Sequence, residues 1–483
     1  MTTCGKTILS GLLLLSPLSP MHGAGAGGDK SVPRNVLFIV CDDLRPELGC
    51  YGQRQILSPH IDSLAAAGVR FDRAYCNIAV SGASRASLLT GLRPTRTTLQ
   101  AWNARTDVDC PDAVTLQQCF RDAGFTTVAH GKVYHHQDEA SMPYWDRRTT
   151  PDPQTPMDFH QPDNIALMDA QRLTGKGLRG RFYEHADLPD SLYLDYQIAD
   201  RCIADLRALS REEKPFLLVA GFVRPHLPFV VPQRYWDIYD HDSIRIPDNY
   251  LLKPGNNIPE RALANWSELR AYTGIPATGP LDEPTAKLMI HGYYAAVSFV
   301  DAQIGRLLQA LRDEGLAEST TVVLIGDHGW NLGEHGTWCK HSIMNTCLHS
   351  ALIIAGPDVR SPYACQEVVE FVDIYPTLCD AARIAPPENQ LEGTSLVPLL
   401  RSPRARTKGY AVSRWANGFT LVEDERSYTE WWDSDGNLLD RLLFDHRTDA
   451  DENYNIAEEP AQARLVRKMS KRLKRRLGKR FER

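Results

Sequence analysis

A serine stands at the head of a run of small residues that continues into a short helical pattern. The segment Ser81–Gly91 reads SGASRASLLTG, which predicts a helix that begins near Ser81 and stops at Gly91. A helix N-terminus offers unpaired N–H groups and a positive dipole, which favour an anion, and Arg85 adds charge-assisted hydrogen bonds one turn later. Ser81 is therefore a candidate nucleophile facing an anionic group. Taken alone, the segment is better explained as an ordinary capped helix.

Two acidic motifs each follow a run of apolar residues. Asp42 and Asp43 come after the first run, and Asp327 and His328 after a later one. Because ligands bind beyond the carboxyl ends of parallel strands, we expect the three carboxylates to meet at one site, where a cation would offset their repulsion. Adjacent strand residues face opposite ways, so the first two converge only if the chain turns there. Carboxylate oxygens suit calcium or magnesium, while His328 also admits manganese or zinc.

The apolar runs have the character of strands that are buried on both faces. Residues 35–40, 215–221 and 320–326 are almost wholly apolar, which is typical of parallel sheets. The amphipathic segment 286–311 predicts a long helix, and Pro284 suits its first turn. Strands alternating with helices predict an α/β fold with a large, mostly parallel sheet sandwiched by helices. The length of 483 residues allows such a domain and an appendage.

Three segments are predicted along the chain. Residues 1–26 combine Lys6, a short apolar run and an Ala-Gly-Ala end, which is the pattern of a secretory signal peptide. Residues 27–403 form the predicted catalytic domain, and residues 404–483 a small C-terminal α+β subdomain with an antiparallel sheet and a basic helix. We therefore expect a secreted or periplasmic protein. No other apolar run approaches transmembrane length, so no membrane anchor is expected, and the net charge of −6 gives no indication of nucleic acid binding.

Two loop-like regions and the final helix carry further expectations. Residues 136–190 and 240–282 lack periodicity, and we expect long loops that shape specificity there. In the final helix, an apolar stripe recurs every four residues between lysines and arginines. Such a helix lies on a membrane surface, or it packs its stripe on the small sheet and exposes the basic face to water; the second interpretation is favoured. The stripe residues are Leu465, Met469, Leu473, Leu477 and Phe481.

Taken together, these motifs resemble the sulfatase family of the alkaline phosphatase superfamily. The family pattern is Cys or Ser, any residue, Pro or Ala, Ser-Arg, three residues, Leu or Met, and Thr-Gly, which Ser81–Gly91 matches throughout. Longer matches resemble the iduronate 2-sulfatase branch and its bacterial serine-type relatives. The resemblance covers roughly residues 33–400 and implies an alkaline-phosphatase-like fold. The longer matches are Cys41–Gly52, Gly131–His135, Arg224–Phe229 and Asp327–Gly336, with Lys340 beyond.

The resemblance implies a formylglycine at position 81. In serine-type members a radical maturase oxidises the serine to an aldehyde, which hydrates to a geminal diol. One diol oxygen attacks sulfur, and the other then re-forms the aldehyde and expels sulfate. A plain serine would instead be left as a sulfate ester as stable as the substrate.

The resemblance also implies a role for each site residue. Arg85 and Lys132 would bind sulfate oxygens and the diol, and Lys340 would contact the sulfate or the bridging oxygen. His135 would act as the base of the elimination, and His226 would protonate the leaving alcohol. The implied ligands of calcium are Asp42, Asp43, Asp327, His328 and the modified Ser81.

The implied reaction removes sulfate from a sulfated oligosaccharide or polysaccharide fragment. Resemblance to the branch implies the 2-O-sulfate of a terminal uronic acid, whose carboxylate needs cationic partners. We expect these partners among Arg45, Arg224, His335 and Lys340. Two alternatives remain open. One is a phosphatase or phosphonate monoester hydrolase of the same superfamily, and the other, if Ser81 is never converted, is a non-catalytic protein that binds sulfated glycans.

Overall fold

Strands and helices alternate along most of the chain. The computed structural model describes residues 34–136, 138, 144–149, 158–263 and 267–478. The strands are β1 (Asn35–Cys41), β2 (Val69–Phe71), β3 (Ala74–Tyr75), β4 (Thr126–Gly131), β5 (Arg147–Thr149), β6 (Tyr183–Ala186), β7 (Phe216–Phe222), β8 (Phe229–Pro232), β9 (Thr320–Gly326), β10 (Asn331–Leu332), β11 (Trp338–Cys339), β12 (Leu352–Ala355), β13 (Tyr363–Cys365), β14 (Val369–Glu370), β15 (Tyr410–Trp415), β16 (Gly418–Glu423), β17 (Arg426–Trp432) and β18 (Leu438–Asp445). The helices are α1 (Pro59–Ala67), α2 (Ser81–Thr90), α3 (Thr106–Asp109), α4 (Leu116–Asp122), α5 (Pro162–Arg172), α6 (Leu194–Leu209), α7 (Gln233–Trp236), α8 (Ser267–Arg270), α9 (Glu283–Asp313), α10 (Asn345–Leu348), α11 (Ile374–Ala382), α12 (Val397–Arg401) and α13 (Ala463–Leu477).

The central sheet has the strand order β13-β2-β12-β9-β1-β7-β4-β5. Its middle strand, β1, pairs in parallel with β7 and β9, whereas β12 runs antiparallel to β9 and β2. Alternate residues of β1 enter two different cores, because Leu37 packs into the core that contains α6 and α9 while Phe38 packs into the core that contains α4 and α11. Helices therefore cover both faces, which explains why the apolar runs show no alternation.

The predictions for the central elements are confirmed. The three apolar runs form β1, β7 and β9, and the amphipathic segment lies within α9. Pro284 lies in the first turn of α9, where Asp282 caps the helix by accepting a hydrogen bond from the N–H of Thr285 at 2.9 Å. The segment of the predicted nucleophile forms α2, which runs from Ser81 to Thr90 and is followed by Gly91, a left-handed residue with φ 68°.

The antiparallel sheet predicted near the C-terminus is also present. Strands β15 to β18 pair in sequence order with antiparallel register. α13 packs its apolar stripe onto one face of this sheet, against Leu421, Tyr428 and Leu443. This arrangement agrees with the favoured interpretation of the final helix. Phe481 lies outside the described residues, and the domain boundary near residue 403 remains a prediction.

The region 136–190 contains more regular structure than the sequence led us to expect. Its described residues include α5, whose Asn164 and Met168 are buried, and β6, which pairs in parallel with β8. The prediction of loops alone was wrong there, because a helix with two buried positions in eleven residues leaves little periodicity to detect. In the described part of 240–282, short helical turns and α8 occur instead of longer elements.

The predicted signal peptide, residues 1–26, lies outside the described residues. Among the residues that are described, no helix combines the length and apolar character required to cross a membrane.

Candidate active site

The acidic motifs meet at the carboxyl ends of two neighbouring strands. β1 and β9 pair in register so that Cys41 lies opposite Gly326, which brings Asp42 beside Asp327. Asp43 adopts a left-handed φ of 65°, so the chain turns and the two adjacent carboxylates converge. The turn is held by the N–H of Asp43, which donates a hydrogen bond to Asp327 Oδ1 at 3.0 Å.

We call Asp42, Asp43, Asp327 and His328 the acidic cluster. Ligand atoms from all four lie within 4.8 Å of one another, and all four side chains are fully buried. Nδ1 of His328 lies 2.8 Å from the carbonyl of Gly329, which assigns the proton to Nδ1 and leaves the Nε2 lone pair facing the cluster. Three carboxylates and one imidazole converging in this way fit a divalent metal ion.

Ser81 joins this cluster from the first position of α2. Its hydroxyl donates a hydrogen bond to Asp42 Oδ1 at 3.0 Å and lies 3.1 Å from Nε2 of His328. The next residue, Gly82, packs so closely on another loop that an added Cβ would lie 2.0 Å from the carbonyl oxygen of Trp102. A side chain at position 82 would therefore displace either the helix start or that loop.

Three cations surround the acidic cluster. The guanidinium of Arg85 donates to Asp327 Oδ2 at 2.9 Å and to Asp42 Oδ1 at 3.2 Å, while Lys132 contacts the other oxygen of Asp42. The ammonium of Lys340 donates to Asp43 Oδ1 at 2.9 Å. Although burial favours the neutral acid, the charges of Lys132, His226 and Arg85 hold the pKa of Asp42 well below its usual range. Burial instead raises the pKa of Asp43, despite the neighbouring Lys340.

His226 lies on the open side of the cluster, in contact with an acid that sequence reasoning missed. Its Nε2 is 3.3 Å from Glu268 Oε1 and 3.8 Å from Asp43 Oδ2. Glu268 also lies 3.4 Å from Lys340 and 3.0 Å from Arg179. Although burial opposes ionisation, Lys340 and His226 hold the pKa of Glu268 well below its usual range. Glu268 comes from α8, in a region without any recognisable motif.

His135 lies half-buried beside Lys132 at the same site. Its Nδ1 has no hydrogen-bond partner among the described residues. Burial, and then the charge of Lys132, lower the pKa of His135 to about 2. Its ring makes an edge contact with Trp102 at a centroid distance of 6.4 Å. Trp102 is 60% exposed, so a large aromatic surface faces solvent next to the imidazole of His135.

Three residues expected to contact a substrate carboxylate have other partners. Arg45 pairs with Glu334 at 2.7 Å and with Glu47 at 2.9 Å. Arg224 is buried and donates from Nε to the carbonyl of Val230 at 3.1 Å, and His335 Nε2 lies 3.1 Å from the carbonyl of Asp451. Contacts within the protein therefore occupy all three positions, and their contact with a substrate carboxylate stays a prediction.

The structure brings every other predicted site residue to the acidic cluster or its immediate surroundings.

Comparison with known proteins finds a family model and several relatives that match most of the chain. The sulfatase family model matches residues 34–384. Human iduronate 2-sulfatase is 31% identical over 449 residues, which span 86% of this chain and 78% of that protein.

Two solved structures show the same fold over most of their length. One is a 2-O GAG sulfatase with a TM-score of 0.70 and 25% identity, covering 93% of this chain and 92% of that one. The other is the phosphonate monoester hydrolase of Silicibacter pomeroyi, with a TM-score of 0.71 and 22% identity, covering 92% of this chain and 95% of that one.

Proposed function

Because the chain belongs to the sulfatase family and is therefore a hydrolase of sulfate esters, we propose that it removes sulfate from a carbohydrate by means of a formylglycine made from Ser81. The observation that carries the proposal is the position of the Ser81 hydroxyl, 3.0 Å from Asp42 and 3.1 Å from His328, at the start of a helix. A nucleophile at that point faces both a metal-binding cluster and the anion-binding end of α2.

The metal of this proposal is calcium. Asp42, Asp43, Asp327, His328 and the modified Ser81 would hold it, and the donor set of mainly carboxylate oxygens suits a hard cation. When bound, calcium supplies positive charge that polarises the sulfate and lowers the pKa of the diol.

The protein's own residues would bind the ester and move its protons. Arg85 and Lys132 reach the helix end from two sides and would bind sulfate oxygens, and Lys340 would bind the sulfate on the side of Asp43. Nδ1 of His135 has no hydrogen-bond partner among the described residues, and His135 would accept the proton of the elimination. His226, held by Glu268, would donate a proton to the leaving alcohol.

We propose that the sulfate is the 2-O-sulfate of a terminal uronic acid. Two comparisons support this substrate. The sequence is similar to that of iduronate 2-sulfatase, and the fold is similar to that of a 2-O GAG sulfatase. The exposed ring of Trp102 beside His135 offers a flat surface on which a sugar ring packs. Arg179, which pairs with Glu268 next to His226 and is half-buried, is a further candidate partner for the uronate carboxylate.

The substrate assignment is tested with a panel of defined saccharides. Protein with confirmed formylglycine is assayed on 2-O-sulfated uronate disaccharides, 6-O-sulfated hexosamines and sulfated galactose or fucose units. We expect the uronate disaccharides to have the highest kcat/KM. Preference for a neutral sulfated sugar, or release from the interior of long chains, would overturn the substrate while leaving the sulfatase assignment intact.

A second candidate function is phosphonate or phosphate monoester hydrolysis, favoured by the structural similarity to a phosphonate monoester hydrolase. Assays with matched sulfate and phosphonate esters of one phenol distinguish the two functions, and we expect the sulfate ester to react faster.

The proposed function also requires a radical maturase as a partner and export of the chain. Peptide mass at Ser81 in the native source tests the conversion, because formylglycine is lighter than serine by two hydrogen atoms. An unmodified Ser81 would favour a glycan-binding protein.

The role of His226 makes a prediction that depends on the leaving group. His226→Ala should lower kcat on sugar sulfates by roughly 10²–10⁴-fold, because general-acid catalysis contributes about that much. An activated aryl sulfate should lose far less, because its phenolate leaves without a proton. His60→Ala is the control, since His60 is an exposed histidine outside the site. Equal losses on the two substrates would rule out the role.

A further inference from the structure

The outer face of α13 is made entirely of cations. In its 15 residues this helix has eight lysines and arginines and no acidic residue, whereas the whole chain has a net charge of −6. At about 100° per residue, six of the eight cations fall within one third of the helix circumference, and all six are exposed. This outer face consists of Arg464, Arg467, Lys468, Lys471, Lys474 and Arg475.

The opposite side of α13 is buried against the C-terminal sheet. Val466, Met469, Leu473 and Leu477 are buried in the core that α13 shares with the C-terminal sheet. The remaining two cations lie at the edge of this contact, where Arg472 pairs with Glu423 and Arg476 lies 3.8 Å from the same carboxylate. The helix is thus anchored through its apolar stripe and presents the basic face to solvent.

Few of the exposed cations have a compensating charge. Lys474 lies 3.9 Å from Glu430, but the other five cations of the outer face form no ion pair with any described residue. Like charges recur at a spacing of four residues, as in Arg464 and Lys468 or Lys471 and Arg475, and such pairs destabilise a helix. Exposed helices ordinarily mix charges of both signs, so the repulsion on this face would be relieved by an anionic partner.

We propose that the outer face of α13 binds the sulfated polysaccharide from which the substrate derives. The inference rests on the proposed function, because it takes the occupant to be a polymer with the same anionic groups as the substrate. A row of cations along a helix of 15 residues, about 22 Å long, complements several successive sulfates and carboxylates. The surface would hold the enzyme on the polymer while the active site acts on a chain end.

Two other polyanions fit this surface less well. A helix that binds a membrane inserts an apolar face into the lipid, and the apolar face of α13 is already packed on the sheet. Single-stranded nucleic acid is bound by aromatic residues that stack on bases between the cations, and the outer face has none.

The test uses Ser81→Ala protein, so that binding is measured without turnover. In this background, a face variant carries Arg467→Gln, Lys468→Gln, Lys471→Gln and Arg475→Gln. Lys474 is kept because it contacts Trp432 as well as Glu430. A control variant carries the same loss of charge at four exposed cations elsewhere. Its substitutions are Arg54→Gln, Lys176→Gln, Arg201→Gln and Lys214→Gln.

We expect the face variant to bind long-chain heparin at least about tenfold more weakly than the parent and with a smaller dependence on salt, because fewer counterions are released. The control variant should bind as the parent does. With Ser81 intact, the face variant should hydrolyse a sulfated disaccharide at the normal rate. Failure of the proposed function would remove hydrolysis from every variant, while heparin binding would still report on α13.

Several outcomes would overturn the proposal. Equal weakening in both variants would attribute binding to net charge alone. Tighter binding to phosphatidylserine vesicles, or to DNA of equal charge density, would assign the surface to a different partner. If the face variant does not fold, hydrogen exchange on the parent decides instead. Heparin should then protect the backbone amides of α13, and protection confined to other elements would contradict the proposal.

Discussion

Ser81→Ala is expected to abolish turnover, with a loss on the order of 10⁴-fold or more, because removing a nucleophile removes the covalent pathway. The hydroxyl makes two contacts, to Asp42 and His328, and alanine removes both without adding bulk. The fold should persist, because the small side chain starts a helix whose other residues are unchanged. Sulfate release on 2-O-sulfated uronate disaccharides and thermal melting measure the two effects.

Ser87→Ala is the matched control for this experiment. Ser87 lies in the same helix and is also buried, but its hydroxyl donates to the carbonyl of Leu92 at 2.6 Å, away from the acidic cluster. The control should retain activity and lose only some thermal stability. Wild-type turnover in Ser81→Ala would show that another group is the nucleophile.

Asp327→Asn is expected to lose the bound metal and the activity together. Asp327 accepts hydrogen bonds from the N–H of Asp43 and from Arg85, so its charge holds both the turn and the guanidinium. Removing that charge leaves Arg85 buried with one carboxylate fewer, and breaking a buried pair costs about 3–5 kcal/mol. Assays should therefore run well below the melting temperature, with metal content measured by mass spectrometry.

Asp301→Asn provides the comparison for this change. Asp301 is equally buried, but it accepts hydrogen bonds from the N–H groups of Ile61 and His60 in α1 and lies outside the acidic cluster. Burial raises the pKa of Asp301 to about 7, so a neutral amide replaces it at little electrostatic cost. This variant should keep both metal and activity. Full activity in thoroughly metal-depleted protein would refute the metal site, and recovery with zinc but not calcium would correct the metal.

The strand ends and the nucleophile helix were predictable because each is encoded locally. An apolar run such as residues 35–40 gives its strand without knowledge of its partners, and Gly91 marks where α2 ends. Once two such strands are parallel neighbours, the residues that follow them must meet. Because adjacent strand residues face opposite ways, Asp42 and Asp43 can converge only if the chain turns there. The left-handed φ of Asp43 provides that turn.

Residues recruited by tertiary contacts were not predictable in this way. Glu268 reaches His226 and Lys340 from a four-residue helix with no motif, and Trp102 approaches the site because Gly82 allows the loops to touch. Arg45 shows the same limit for competing partners. Its motif position suggested substrate binding, but two acids, Glu47 and Glu334, are folded onto it. Sequence spacing therefore reveals neither the residues that tertiary contacts bring to the site nor the acids of the protein that pair with an expected substrate-binding residue.

If Ser81 is converted as proposed, its burial sets a time limit on the conversion during biosynthesis. In the folded protein this residue is 1% exposed, so a maturase has to reach it before α2 docks on the sheet. Docking requires Asp327, the residue that follows β9, because Ser84 and Arg85 of α2 both bind it. At about 5–20 residues per second, a ribosome needs roughly 12–50 s to travel from codon 81 to codon 327. Expression conditions that slow this stretch of translation would lengthen the interval in which the serine is accessible.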